Sequence, residues 1–133
     1  MGALGMDRRI LVVEDDEDLL GLVKIAVGEA GYTVEAAPDA SHAFRAIDRR
    51  AHEYWAVILD LGLPDFPGGL VLRRARQLRP DIHIVLATGS NVPDDLPDPY
   101  LLLPKPYGPR ELLRALARLE LVSQDFVPCL AAR

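Results

Sequence analysis

The sequence contains few of the residues that characterise secreted, metal-cluster or membrane proteins. Its single cysteine, Cys129, cannot form an internal disulfide, so the chain carries no sign of an oxidising compartment. No apolar stretch approaches the roughly 20 residues that a transmembrane helix requires, and the first residues lack the apolar region of a signal peptide. We therefore expect a cytoplasmic protein without a membrane partner, with a disordered leader over residues 1–8.

Histidine, aromatic residues and net positive charge are also scarce or absent. The three histidines, His42, His52 and His83, have no paired spacing, so we interpret them as structural or surface residues rather than ligands or phosphodonors. Aromatic residues make up 6% of the chain, and packing explains Tyr54 and Trp55 better than base stacking. The net charge of −5 argues against a nucleic-acid partner. The length of 133 residues and the hydrophobic content of 50% predict one compact domain.

Four short apolar runs are present, and each ends at residues that can take part in chemistry. The runs end at Glu14 and Asp15 after ILVV, at Asp60 after AVIL, at Thr88 after IVLA, and at Lys105 after LLLP. Short apolar runs that alternate with helical patterns predict a parallel sheet covered on both faces, whose ligands bind at the carboxyl ends of the strands. The four run ends should therefore meet in one crevice.

An acidic crevice of this kind predicts a divalent cation. Two carboxylates about 4 Å apart repel each other by roughly 4 kcal/mol at an effective dielectric constant near 20. Oxygen ligands without histidine or cysteine favour a hard ion, and a few carboxylates with water suit Mg²⁺ better than Ca²⁺. A metal beside a hydroxyl and an ammonium group can hold a phosphoryl group while Asp60 attacks it in line.

Four sequence segments resemble the receiver domains of two-component response regulators. They are ILVVEDDEDLL, VILDLGLPDFPGG, IVLATG and LPKPYGPREL, in the order of that family, and the resemblance extends from about Arg9 to Val122. It implies a receiver domain over residues 9–122, followed by a tail over residues 123–133. The implied α/β fold is a flavodoxin-like (βα)5 three-layer sandwich with five parallel strands in the order 2-1-3-4-5.

The resemblance also implies a role for each site residue. Mg²⁺ would be bound by Glu14, Asp15, Asp60 and the carbonyl of Gly62, with Asp15 as the direct ligand of the acidic pair. The phosphoryl group would be accepted by Asp60 and contacted by Thr88 and Lys105. The implied partners are a sensor histidine kinase or histidine phosphotransfer protein and an unidentified downstream protein, and the chain would not be a turnover enzyme. A homodimer is left open.

The segment from Thr88 to Lys105 departs from the family pattern. It is a few residues shorter than receivers usually allow, and it contains Pro93, Pro97, Pro99 and Pro104. Because proline costs about 3 kcal/mol in a helix interior, we expect the fourth helix of the family to be short or missing. The aromatic switch position of the family is Leu102 here; strand alternation would place Tyr100, two residues earlier, on the same face, and whether Tyr100 replaces the switch aromatic is left open.

Capping residues predict where the other helices begin. Asp16 and Asp39 suit the N-caps of the first two helices, and Pro109 suits the first turn of the last one. The third helix is predicted from about Gly69 to Leu78. Its arginines are interpreted as a solvated face, with partner docking as the alternative; they are Arg73, Arg74, Arg76 and Arg79.

Each site residue also has a purely structural interpretation. Asp15 can cap a helix, Asp60 can be a loop carboxylate, Thr88 a turn residue and Lys105 a solvated lysine. One alternative function is a phosphatase-like hydrolase with an aspartyl nucleophile, which Gly62, standing where a second aspartate is expected, disfavours. Others are a flavin-binding electron carrier, disfavoured because no hydroxyl-rich loop follows the first strand, and a receiver from a hybrid histidine kinase.

Overall fold

The computed structural model describes residues 8–89 and 91–124, without the side chains of residues 123 and 124. The predicted leader, apart from Arg8, and the tail from residue 125 onward lie outside the described residues. The strands are β1 (Arg9–Val13), β2 (Thr33–Ala37), β3 (Tyr54–Leu59), β4 (His83–Thr88) and β5 (Leu101–Pro104). The helices are α1 (Glu17–Glu29), α2 (Ala40–Arg50), α3 (Gly68–Leu78) and α4 (Pro109–Gln124), with a short 3-10 helix (Ala51–Glu53) after α2.

All five strands form one parallel sheet in the predicted order β2-β1-β3-β4-β5. Its register aligns the ends of the central strands, because Val13 pairs with Leu59 and Leu59 pairs with Leu86. At the edge of the sheet, Pro104 pairs with Thr88. The residues that follow β1, β3 and β5 therefore emerge together at the carboxyl edge, as the apolar runs predicted.

Side chains of the sheet alternate between two cores, one on each face. Leu11 and Leu59 pack with residues of α2 and α3, whereas Ile10 and Ile58 pack with residues of α1 and α4. Because both faces are covered by helices, the central strands are almost continuously apolar. Among the described residues, no helix combines the length and the apolar composition that crossing a bilayer requires.

The predicted helix starts are confirmed with one small difference. The carboxylate of Asp16 accepts hydrogen bonds from the N–H groups of Asp18 and Leu19, and that of Asp39 accepts one from His42 N–H. Helix α4 begins at Pro109 as predicted, and α3 begins one residue earlier than predicted, at Gly68. These caps provide partners for N–H groups that a first helical turn leaves unpaired.

The connection between β4 and β5 has no helix among its described residues, as the prolines predicted. Its backbone is held by α3 instead. Leu96 is buried, Arg73 donates a hydrogen bond to the Asp95 carbonyl over 2.8 Å, and Arg76 donates one to the Pro99 carbonyl. The peptide bonds Asp98–Pro99 and Lys105–Pro106 are cis.

The interpretation of the α3 arginines as a solvated face is wrong for two of them. Arg76 Nε donates to the Ile82 carbonyl over 3.0 Å, and Arg79 donates to the carbonyls of His52 and Tyr54. These contacts join α3 to the starts of β3 and β4. Sequence periodicity identifies a polar helix face, but it carries no information on which carbonyl groups of other segments lie beside that face.

Candidate functional site

The backbone of the site residues is fixed by a continuation of the sheet beyond its strands. Glu14 N–H donates to Ala37 O over 3.0 Å, Asp60 N–H donates to Val13 O over 3.0 Å, and Lys105 N–H donates to Thr88 O over 3.1 Å. The first residue after each of β1, β3 and β5 is thus held by the neighbouring strand. Sheet geometry therefore places the four polar run ends side by side.

Three carboxylates converge at this edge, as the sequence predicted. Glu14, Asp15 and Asp60 each offer one carboxylate oxygen, and these oxygens lie within 4.8 Å of one another. Glu14 and Asp60 are buried, with 3% and 6% of their surface exposed, whereas Asp15 is exposed. We call these residues the acidic cluster.

Lys105 joins two members of the acidic cluster. Its Nζ lies 2.9 Å from Glu14 Oε1 and 2.9 Å from Asp60 Oδ2. Although burial acts in the opposite direction, the hydrogen bonds to these carboxylates raise the pKa of Lys105 to about 12. Burial raises the pKa of the Glu14 carboxyl, against the opposing effect of its hydrogen bonds with Lys105 and Asp16 N–H. One ammonium group offsets only part of the negative charge of the acidic cluster.

The second oxygen of Asp60 is held by its own loop. Asp60 Oδ1 accepts a hydrogen bond from Gly62 N–H over 3.0 Å, so both carboxylate oxygens have a donor. A Cβ added at Gly62 would lie 3.8 Å from this oxygen, an ordinary contact, so space alone does not require glycine there. Thr88, at the end of β4, is buried and contributes its backbone carbonyl to Lys105.

Gly68 is a residue of this site that the sequence analysis missed. A Cβ at Gly68 would lie 2.5 Å from the Asp60 carbonyl oxygen and 2.6 Å from Leu61 Cα, both of which are backbone atoms. Gly68 N–H also donates to Leu61 O over 3.1 Å. The start of α3 thus packs directly against the backbone of Asp60. The glycine pair at the predicted helix start was the available signal, but such a pair does not show which backbone lies against it.

The donor set fits a small, hard cation. Its side-chain ligand atoms are all carboxylate oxygens, which Mg²⁺ prefers together with several waters. Opposite oxygens around one Mg²⁺ are about 4.2 Å apart, which is comparable with the 4.8 Å within which the three oxygens of the acidic cluster lie.

Fold and site together define a parallel α/β domain with an acidic, lysine-containing pocket at the carboxyl edge of its sheet. Residues 10–117 match the family model described as the response regulator receiver domain, and the chain belongs to this family. Receiver domains act in two-component signalling, where they partner with histidine kinases and are typically phosphoacceptors rather than turnover enzymes. The acidic cluster is consistent with a phosphoacceptor site and is typical of a receiver Mg²⁺ site.

This chain is similar to a longer regulatory protein, of which it matches about half, and to a receiver protein that it matches over nearly the full length. The transcriptional regulatory protein TcrA of Mycobacterium tuberculosis is 37% identical over 120 residues, which cover 83% of this chain and 46% of TcrA. The response regulator receiver protein CpdR of Brucella abortus is 30% identical over 118 residues, which cover 84% of this chain and 96% of CpdR. The chain thus spans about half the length of the first of these relatives.

Solved receiver structures have the same fold. A CheY-like receiver domain protein from Methanospirillum hungatei superposes with a TM-score of 0.75 at 29% identity, covering 85% of this chain and 93% of that one. The non-phosphorylated HemR receiver domain from Leptospira biflexa superposes with a TM-score of 0.76 at 29% identity, covering 85% of this chain and 94% of that one. The flavodoxin-like class predicted from the sequence is confirmed, and the part of the chain that the structure describes contains four α-helices.

Proposed function

We propose that this chain is the phosphoacceptor of a two-component phosphorelay, in which Asp60 accepts a phosphoryl group with the help of Mg²⁺. The donor would be a phosphohistidine of a sensor histidine kinase or a histidine phosphotransfer protein. The observation that carries this proposal is the position of Lys105 Nζ, 2.9 Å from both Asp60 Oδ2 and Glu14 Oε1 within the acidic cluster. A carboxylate nucleophile, an ammonium group and further carboxylate oxygens are the groups that phosphoryl transfer needs.

The transfer step uses groups that are already oriented. A carboxylate oxygen of Asp60 forms a bond to phosphorus while the phosphorus–nitrogen bond of the partner's imidazole breaks, and the electron pair of that bond stays on the imidazole nitrogen. The N–H of Gly62 and the Nζ of Lys105 hold the two Asp60 oxygens beforehand. We assign to Lys105 and to the hydroxyl of Thr88 the contact with the transferred phosphoryl oxygens.

The metal would be held by Glu14, Asp15, Asp60 and the carbonyl of Gly62. When bound there, Mg²⁺ supplies positive charge that offsets the charge of the phosphoryl oxygens. A shallow pocket of about 360 Å³ lies beside Lys105. It is lined by Asp16, Leu19, Lys105, Pro106 and Tyr107.

Replacing Asp15 by alanine tests the metal assignment. We expect the dissociation constant for Mg²⁺ to rise by at least about tenfold, because changes to groups that only support a metal ligand already cost that much. The measurement is titration calorimetry. Fluorescence of Trp55 is unsuitable, because strands rise about 3.3 Å per residue and Trp55 therefore lies roughly 16 Å from Asp60.

Asp18→Ala is the matched control for this experiment. Asp18 is exposed in the first turn of α1 and carries the same charge, but it does not belong to the acidic cluster. Its replacement should change the dissociation constant by less than about twofold at physiological ionic strength, because the charges of exposed groups are screened. Equal effects of the two substitutions would contradict a direct role for Asp15.

We also propose that phosphorylation is reported by the β4–β5 connection, since no helix is described there. Asp95 and Leu96 are already held by α3 and Val92 packs against the core, so the described residues with amides left to respond are Gly89, Asn91 and Asp94. Addition of beryllofluoride should slow hydrogen exchange of these amides in the unchanged protein and leave it unaltered in Asp60→Asn. Unaltered exchange in the unchanged protein, with beryllofluoride bound, would refute this output route.

A further inference from the structure

Asp65, in the loop between β3 and α3, contacts the start of α2. Its Oδ1 accepts a hydrogen bond from Ala40 N–H over 2.9 Å, and its Oδ2 accepts hydrogen bonds from Ser41 N–H over 2.9 Å and from the Ser41 hydroxyl over 2.7 Å. Although desolvation acts in the opposite direction, these hydrogen bonds lower the pKa of Asp65 to about 2. A negative charge is favourable at this end of a helix, where N–H groups are unpaired. Helix α2 thus has two acidic caps, one of them from a distant segment.

The loop that carries Asp65 also carries Gly62, between Asp60 at one end and Gly68 at the other. Gly62 has no side chain that could anchor it, and glycine has a wide choice of backbone conformations. Gly62 N–H is held by Asp60 Oδ1 over 3.0 Å, and Leu61 and Leu63 beside it pack against the core. The position of the Gly62 carbonyl therefore depends on these contacts together with what holds the rest of the loop. The apex of the loop contacts α2 through Asp65 and through the Phe66 ring. The centroid of this ring lies 5.9 Å from that of Phe44 on α2.

We propose that Asp65 is a positioning residue, which fixes the loop against α2 and thereby fixes the Gly62 carbonyl relative to the acidic cluster. This inference rests on the proposed function, in which that carbonyl is a metal ligand. Asp65 touches neither the metal nor the phosphoryl group in this scheme. It acts through three charge-assisted hydrogen bonds, which are stronger than neutral ones and hold the loop against the start of α2.

The test compares Asp65→Ala with Asp39→Ala. Asp39 caps the same helix through His42 N–H over 2.8 Å, but it precedes α2 and lies outside the loop. Both substitutions remove one negative charge from the start of α2. In the metal-free protein, the amides of Leu61 to Phe66 should exchange about tenfold faster in Asp65→Ala and at an unchanged rate in Asp39→Ala.

Metal affinity gives the second readout. We expect the dissociation constant for Mg²⁺ to rise about tenfold in Asp65→Ala and less than about twofold in Asp39→Ala, as for a residue that orients a metal ligand. Failure of the unchanged protein to bind Mg²⁺ would defeat the proposed function. Hydrogen exchange of the loop amides in the metal-free protein would still show whether Asp65 fixes the loop. Equal exchange rates in the two variants would overturn the inference.

Ser41→Ala keeps the test decisive if Asp65→Ala does not fold. It removes the hydroxyl that donates to Asp65 Oδ2 over 2.7 Å, and it changes no residue of the loop. Hydrogen exchange over Leu61 to Phe66 that is faster than in the unchanged protein, but less so than in Asp65→Ala, supports the inference. The substitution is then on α2, whereas its effect is measured in the loop. Unchanged exchange there would count against it.

Discussion

Replacement of Asp60 by asparagine is expected to abolish phosphorylation. Asparagine keeps the size of the side chain, but its amide group is not a nucleophile that can form an acyl phosphate. Lys105 keeps its contact with Glu14, so the acidic cluster retains one of its two ion pairs with Lys105. The measurement is intact-protein mass after incubation with Mg²⁺ and a small acyl phosphate, followed by labelling with a cognate histidine kinase.

Asp48→Asn is the control for this experiment. Asp48 is an exposed aspartate on α2 that pairs with Arg74 over 2.8 Å, away from the carboxyl edge of the sheet. This variant should be phosphorylated to the same extent as the unchanged protein. Labelling of Asp60→Asn on another residue would show that the phosphoacceptor has been assigned to the wrong position.

Replacement of Gly68 by alanine is expected to lower the free energy of unfolding by about 1–3 kcal/mol, as overpacking of a close-packed site does. The added methyl group would meet the Asp60 carbonyl oxygen and Leu61 Cα at 2.5 and 2.6 Å. Both are backbone atoms, so no side chain can turn away to make room. Because relief of this clash moves the backbone of Asp60 and the start of α3 apart, we expect the dissociation constant for Mg²⁺ to rise in the same variant. Urea denaturation followed by circular dichroism, together with titration calorimetry, checks both effects.

Gly21→Ala makes the same chemical change at a site without neighbours. Gly21 lies inside α1, and a Cβ there has nothing within 4 Å. This substitution should be neutral or stabilise the protein by up to about 1 kcal/mol, because alanine favours helix interiors over glycine. If both glycine substitutions had the same effect on unfolding, close packing at Gly68 would not be the cause.

The features that the sequence predicted correctly depend on short stretches of chain. The apolar runs that became β1, β3 and β4 are buried on both faces, and Asp16, Asp39 and Pro109 lie at the helix starts that their chemistry favours. The meeting of Glu14, Asp15 and Asp60 was also predictable, because strands of a parallel sheet end at one edge and carry their following residues there.

The features that it missed depend on contacts between distant segments. Asp65 caps a helix that begins 25 positions earlier in the chain, and Arg79 donates to the carbonyl of Tyr54. An aspartate in a loop and an arginine on a polar helix face have many structural uses, so their partners follow only from the packed fold. The requirement for glycine at position 68 has the same origin, because it depends on how closely α3 approaches Asp60.

The composition of β5 limits how two copies of this protein can associate. Lys105 N–H points toward β4, so the alternation of a strand directs the backbone of Pro104 toward the outer edge, where proline has no N–H to donate. The outer edge of this four-residue strand therefore offers few donors to an incoming strand. Edge-to-edge strand addition at β5 is therefore disfavoured, and strand addition would have to occur at the other edge of the sheet, β2.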